Sequence, residues 1–551
     1  MQVTDLITLN ERLRSEASSM YGLWRQCGQY CLTRKLSSLI TSTSQSGTQP
    51  GAAPTIDFQL LNDVAVDANA VLASGCMEWI MPSSGRWINL KPASQQEGND
   101  AVEDWLQSCT DVILTALLDS NFYTRAHEAM LDSSTFGISG LWAEEGSRGL
   151  NFRTWDVGSF VFCENSEGYV DTVFREVERT AKQASEEFTT LPPQVTRALA
   201  SNKPNDKFRF LHCFYPRPAK ERKEAGPQSM PIASVWIHID SKTVCKDSGY
   251  NELPAFISRY LRWSEASAYG VSPAMQALAE IRGVNYLERI MGGLAETTLN
   301  PRLVIPQGFQ GVPDLRPGGQ TMGGISKDSS PYEWMTGGNF NVGLNLIERK
   351  EEAVRRAFHY RLFRAFEDRK GDMNIPHVLA IQAEQVLGFS PAFTSLTTEL
   401  INPVVERCFM LLYRSGKLPK APREAFVTNA LGASMLLFPR IAQNNRMSLA
   451  MQSAKEQGMQ ALMGIFAPLA QTGSPVLDNL DEDRAFRDIA RGRGLPADYL
   501  KPEATRDTLR QARQQAQQAQ QQQAMLLEAA KNPEIVKQAA GAMQGGMEEA
   551  A

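Results

Sequence analysis

The densest carboxylate group in the chain is Asp478, Asp481, Glu482 and Asp483. Clustered acids of this kind can hold Mg²⁺ for phosphodiester cleavage in two-metal sites. They directly precede "RAFRDIARGRG", where acidic residues at a helix start serve equally as caps and as partners of the helix dipole. No other chemistry is spelled out. The five histidines (127, 212, 238, 359 and 377) include no pair at metal-ligand spacing, and HExxH, GxSxG and GxxxxGK[ST] are absent, so zinc hydrolysis, a serine nucleophile and a phosphate loop for ATP lack their residues. His377 follows Pro376 in what reads as a first helical turn, a positional role. "CMEWIMP" and "GRWINLKP" hold Trp79 and Trp87 in patterns that suit core packing around a turn at 82–85 better than base stacking. The residues call for no cofactor and no metal.

A second charged group is of another kind. In "FRAFEDRKGDMNIPHVLAIQ" the cations Arg369 and Lys370 stand between Asp368 and Asp372, with Gly371 between. A helical pattern stops there and another starts at Pro376, so these charges occupy a loop wedged between two helices.

The elements around that loop follow from local signals. Ser272-Pro273 is an N-cap followed by a favoured first helical residue, and Leu278, Ile281, Val284, Leu287, Met291 and Leu294 mark one face of a helix ending at Asn300-Pro301. Residues 301–343 contain nine glycines and five prolines, which excludes a long helix and predicts short strands and turns. A second long helix is expected from Asn345, with Glu348 completing a capping box. On it Ile347, Val354, Phe358, Leu362 and Ala365 share a side, while Arg349, Arg356 and Arg364 cluster opposite. After Gly371 a helical pattern runs from 376 to 414, bent near Pro391 and Pro403. Upstream, residues 5–35 read as an amphipathic helix, 41–55 as a loop, and "FRTWDVGSFVFCENSEGYVDTVFREV" as a hairpin about Asn165 to Gly168. The tail "QARQQAQQAQQQQAM" reads either as a helix with a narrow seam at Leu509, Ala512, Ala516 and Ala519 or as a disordered low-complexity segment.

Bulk properties set limits. The 551 residues are 42% hydrophobic, enough for several structural units. With 56 basic and 61 acidic residues the formal charge is −5, so any nucleic-acid contact must be local. The eight scattered cysteines suit structural thiols in a reducing compartment. The most apolar run, 461–470, is broken by Gly464 and Pro468 and falls short of a membrane span, and "MQVTDLITLNERLRSEASS" lacks an apolar export segment.

Several blocks in order, "WRQCGQYCLTRK", "LASGCMEWIMPSSGRWINL", "DSNFYTRAHEAMLDSSTFG", "ENSEGYVDTVFRE" with "TAKQASEEF", "RYLRWSEASAYGVSPAMQAL", "LINPVVERCFMLLYRSGKLPKAP" and "VLDNLDEDRAFRDIARGRGLP", resemble the portal proteins, or head-to-tail connectors, of short-tailed bacteriophages. The likeness covers most of the chain. It departs from the family's habit at Thr33, at Val271, at Asn374-Ile375-Pro376-His377 and at Ile381, whereas Glu384 fits, and "FPRIAQNNR" matches loosely. The departures bear on polar contacts between subunits.

The resemblance implies an α+β, mainly helical portal fold assembled as a ring, usually of twelve subunits. Its parts would be a wing (1–272), a first stem helix (273–300), a clip (301–343), a second stem helix (344–366), a tunnel loop (367–375), a tunnel helix (376–415), the rest of the wing (416–500) and a crown or barrel helix with its tail (501–551). It further implies a non-enzymatic role at the portal vertex of the virion, after synthesis in the host cytoplasm: nucleating capsid assembly and passing double-stranded DNA in packaging and ejection. Implied partners are other copies of the chain, the DNA, the terminase motor, major capsid and scaffolding proteins, tail adaptor or nozzle proteins and ejected internal proteins, with no membrane. Asp368, Arg369, Lys370 and Asp372 would then line the channel, with Arg349, Arg356 and Arg364 as weaker candidates. Two alternatives stay open: a metal-dependent DNA-processing enzyme using the 478–483 acids, and a tail adaptor ring.

Overall fold

A computed structural model describes residues 2–35, 60–96, 99–299 apart from 148 and 266, 302–305, 332–334, 340–364, 375–428, 434–448 and 503–531, with a few isolated positions besides. It divides into two units, Met1–Met451 and Gln452–Ala551.

In the first unit, helices and strands share one main core. The N-terminal helix, Val3–Cys31, buries Leu6, Leu13, Ala17 and Trp24 at helical spacing, and the Trp24 indole donates to the carbonyl of Phe136. Val64–Ile80, Asp100–Leu118 and Phe122–Phe136 complete the helical layer. Phe122–Phe136 ends on Gly137, whose φ of +77° closes the helix. A Cβ there would strike the backbone of Gly270, so two glycines let the chain cross itself. Trp87, Ile88 and Leu90 are buried, as core packing requires.

Two antiparallel sheets follow. One has three strands, with Ile138–Gly146 between Gly149–Trp155 and Ala255–Arg259. The other runs Phe160–Glu164, Val170–Thr180, Lys207–Pro216, Ile232–His238 and Thr243–Tyr250 in sequential order. Its first hairpin turns where expected: the Asn165 side chain accepts from the backbone N–H groups of Glu167 and Tyr169, and Gly168 has a φ of +84°. Ala181–Glu187 and Pro193–Ala200 cover the far end of this sheet over a separate small core of Val177, Phe188, Val195, Phe210 and Trp236.

The second half returns to the first. Ile88–Lys91 pairs with Arg440–Gln443 in register Ile88 with Gln443, and the Trp105 indole donates to the carbonyl of Pro419. All eight cysteines are free, seven of them buried and Cys163 partly so. Among the described residues no helix is long and apolar enough to cross a membrane. In the second unit, Glu503–Lys531 is a helix of 29 residues, which decides for the helical reading of the glutamine-rich tail over that span.

Candidate nucleic-acid interface

Two long helices lead to the charged loop. Ser272 caps the first as expected, accepting from the N–H of Met275 while its hydroxyl donates to the carbonyl of Thr135. The helical stretch is not continuous: Pro273–Gln276 ends at Ala277, and Leu278–Leu299 follows. The second helix, Phe340–Ala357, begins five residues before Asn345, because the capping signal there is overridden by packing of the preceding turn, where Gly343 lies against Met291. Lys350 lies beside Gly283 and bonds Glu280 at 2.6 Å, so the helices run antiparallel around Val284, Met291 and Ile347. Asn62 holds both to the body. Its amide donates to Glu288 and Glu351 at 3.3 and 2.8 Å, and Asn285 accepts from the N–H groups of Leu61 and Asn62. Between them, Arg302–Val304 pairs with Tyr332–Trp334, a short-strand motif in the glycine-rich insert.

The second helix ends earlier than its sequence suggests. His359 is left-handed, with φ +51° and ψ +31°, and only a single turn, Tyr360–Phe363, follows. Arg349 and Arg356 are exposed on the outward side of Phe340–Ala357 and form no ion pair among the described residues. Arg364 lies past the break and so off their stripe. Its guanidinium sits 5.8 Å from the Tyr360 ring and helps line a cavity of about 310 Å³ with Asp67, Glu78, Trp79 and Phe363.

The break serves an anchoring purpose. Phe363 meets Trp79 and Phe389 edge-on at 5.8 and 5.7 Å, and the His359 ring meets Phe389 at 5.3 Å. Burial lowers the His359 pKa, so the imidazole is neutral in this aromatic cluster. Phe389 belongs to Ile375–Leu396, the helix that resumes after the charged segment. The cluster therefore holds the turn before the charged segment to the middle of the helix after it, fourteen residues beyond Ile375. Asp368, Arg369, Lys370 and Asp372 themselves lie outside the described residues, as do the acids at 478–483.

The returning helix carries Pro391, and at Thr397–Ile401 it widens into a π-turn before Asn402–Arg414, where Pro403 falls at the start. This π-turn lies between the two prolines near which the sequence predicts bends, and it is a form common at functional positions. It aims Glu399 at Arg259, the last residue of an edge strand of the three-stranded sheet and only 2% exposed. Glu399 accepts from the backbone N–H of Arg259 at 2.8 Å, from Nε at 3.0 Å and from Nη2. Glu164 takes Nη1 and also pairs with Arg262 at 2.6 Å. Burial by itself would lower the Arg259 pKa, but the hydrogen bonds and charge of Glu399, with those of Glu164, raise it. The Ser395 hydroxyl adds a bond to the carbonyl of Arg259. Sequence reasoning missed this cluster, since 140 residues separate Arg259 from Glu399. The available signal was a glutamate between Leu396 and Leu400-Ile401, just ahead of Asn402-Pro403.

The comparison with known families decides what this architecture is. A model described as "Bacteriophage head to tail connecting protein" matches residues 3–500. The chain belongs to that family. It is also similar to the "Portal protein" of Salmonella phage epsilon15, 23% identical over 459 residues, covering 81% of this chain and 80% of that protein. The "Probable portal protein" of Bordetella phage BPP-1 is 22% identical over 542 residues, covering 94% and 92%. The portal resemblance read from the sequence blocks holds, and with it the portal function; the family is a structural one. The mixed helix-and-strand fold agrees with membership.

Proposed function

We propose that copies of this chain close into a ring, twelve by the habit of the proteins it resembles, at the portal vertex, and that double-stranded DNA threads the ring inward in packaging and outward in ejection. The chain does this without catalysis of its own. The terminase motor, capsid and scaffolding proteins and tail adaptor proteins dock on it, and residues 301–343 form the clip that carries motor and tail contacts. Residues 367–375 meet the DNA, with Arg349 and Arg356 behind them.

The observation that carries this reading is the charge pattern between Arg364 and Ile375, where Arg369 and Lys370 stand among Asp368 and Asp372. Cations interleaved with acids can touch the phosphate backbone without gripping it. Two-way passage needs that compromise. Each phosphate neutralised by a fixed cation adds about 0.9 to the salt slope of binding, so many rigid contacts around a ring would act as a brake. Arg369 and Lys370 beside Asp368 and Asp372 offer attraction partly offset by repulsion, which lets DNA slide.

The test is R369E/K370E. A ring repeats the change in every subunit beside a polymer bearing one charge per ~1.7 Å of axis. Like charges 4 Å apart at an effective dielectric of about 20 repel by about 4 kcal/mol, reduced by ~8 Å Debye screening. Rings should assemble normally while packaged-DNA yield or retention falls, more at low salt than at high. Unchanged yield and retention at both salt concentrations would overturn the channel placement.

A further inference from the structure

The helix pair leaves two unlike surfaces uncovered. Val284 and Met291 turn towards the second helix, which puts Arg282, Tyr286, Arg289 and Ile290 on the opposite side of Leu278–Leu299, since residues at three- and four-residue steps share a helix face. Tyr286 and Ile290 are 65% and 46% exposed. Arg282 and Arg289 are exposed and form no ion pair among the described residues. Along one flank of Phe340–Ala357, Leu344 is 46% exposed and Glu348, one turn on, is exposed and likewise without an ion pair among the described residues. One surface is apolar and cationic; the other is apolar and anionic.

We infer that these surfaces dock on one another between copies: the Arg282/Tyr286/Arg289/Ile290 face of one subunit receives the Leu344/Glu348 flank of the next. The occupant is a second copy because the complementary charge lies on the same chain. A two-fold dimer through the first face would set arginines against arginines, which costs energy at short range. Pairing unlike patches is instead heterologous, and heterologous contacts propagate head to tail and form rings when the rotation between copies closes. Apolar anchors flanked by charges give such a contact both area and register. The inference rests on the ring reading above and assigns it a surface.

Native mass spectrometry of the full-length protein tests it in three forms: unaltered, R282E/R289E, and R282E/R289E/E348R. The expected result is a closed ring for the first, subunit association weakened at least about tenfold for the second, equivalent to ~1.4 kcal/mol per contact, and partial recovery for the third. Unaltered protein that stays monomeric at all concentrations overturns both the ring reading and this one. Normal rings from R282E/R289E overturn this one alone, including the case where that variant merely loses DNA or another partner. Oxidative cross-linking covers the event that charge reversal prevents folding. A mixture of Y286C chains with L344C chains should yield dimers that neither variant gives alone, above the low background expected from native cysteines that are mostly buried. Dimers from Y286C alone, or none from the mixture, refute the pairing.

Discussion

Replacing Glu399 by alanine tests how the returning helix is held. The change removes the acceptor of the Arg259 backbone N–H and of two guanidinium nitrogens, and leaves a side chain that is 2% exposed with Glu164 as its one carboxylate partner and the carbonyls of Ala268 and Gly168 at 3.4 Å. Breaking a buried pair by deleting one partner costs about 3–5 kcal/mol. Glu164 keeps part of the compensation, so about 3 kcal/mol is expected. Arg262→Ala is the control, since its guanidinium is 43% exposed and such a pair contributes at most about 1 kcal/mol. Removing both charges in R259M/E399L should regain most of the loss, because well-packed apolar replacements avoid the desolvation cost altogether. Urea unfolding at neutral pH, followed by tryptophan fluorescence and far-ultraviolet circular dichroism, reads all three. A Glu399→Ala loss within about 0.5 kcal/mol, the ordinary scatter of surface changes, would refute the claim that this cluster pins the π-turn, and so would an R259M/E399L variant as unstable as the single one.

Three further expectations follow from other parts of the molecule. Gly75→Ala should destabilise by about 1–3 kcal/mol despite alanine's better helix propensity, because its Cβ would run into the Phe363 ring; thermal unfolding checks this, and a stabilised variant would mean the short turn after His359 shifts freely. His359→Val should cost roughly 1–2 kcal/mol more than His359→Asn, because both lose the ring contact with Phe389 while asparagine tolerates the left-handed backbone, measured in the same way. Asp132, fully buried with Lys35 2.5 Å away, has its carboxyl pushed up to about 6 by burial. The folded state therefore holds that proton more tightly than the unfolded chain, and this contribution to stability falls by up to roughly 3 kcal/mol as pH rises from about 4 to about 6. Asp132→Asn should remove that slope, and Lys35→Met should destabilise strongly at pH 7.5 and little at pH 5, both read from unfolding curves across pH.

What could be read ahead of the structure was local. The Ser272-Pro273 start and the Asn165 to Gly168 turn are each written within a few residues, and each is where the sequence places it. The break at His359 is not written that way. A left-handed histidine has no sequence flag comparable to glycine, and its cause lies in Trp79 and Phe389, far off along the chain. The five extra residues at the start of the second helix have the same origin, since Asn345 and Glu348 form a good cap that packing extends past. Arg349 and Arg356 were legible as an exposed stripe, but Arg364 left it when the helix broke. Arg282 and Arg289 drew no notice because a helix face opposite the core looks like ordinary solvated surface until its charge is compared with that of its neighbour helix.

The pairing of Ile88–Lys91 with Arg440–Gln443 also sets a timetable. At 5–20 residues per second, the second strand leaves the ribosome roughly 20–70 s after the first. During that interval the N-terminal helices and both antiparallel sheets can settle, yet the edge at Ile88 has no partner and Trp105 lacks the carbonyl of Pro419. The helix pair and the charged segment are born inside this interval, as an excursion from a body that is still open. A chain released early, before Arg440, would carry assembly surfaces on an unfinished subunit with an unpaired strand edge, the kind of species that aggregates or is degraded. Closing the body with the last strand among the described residues couples the right to assemble to synthesis past Gln443.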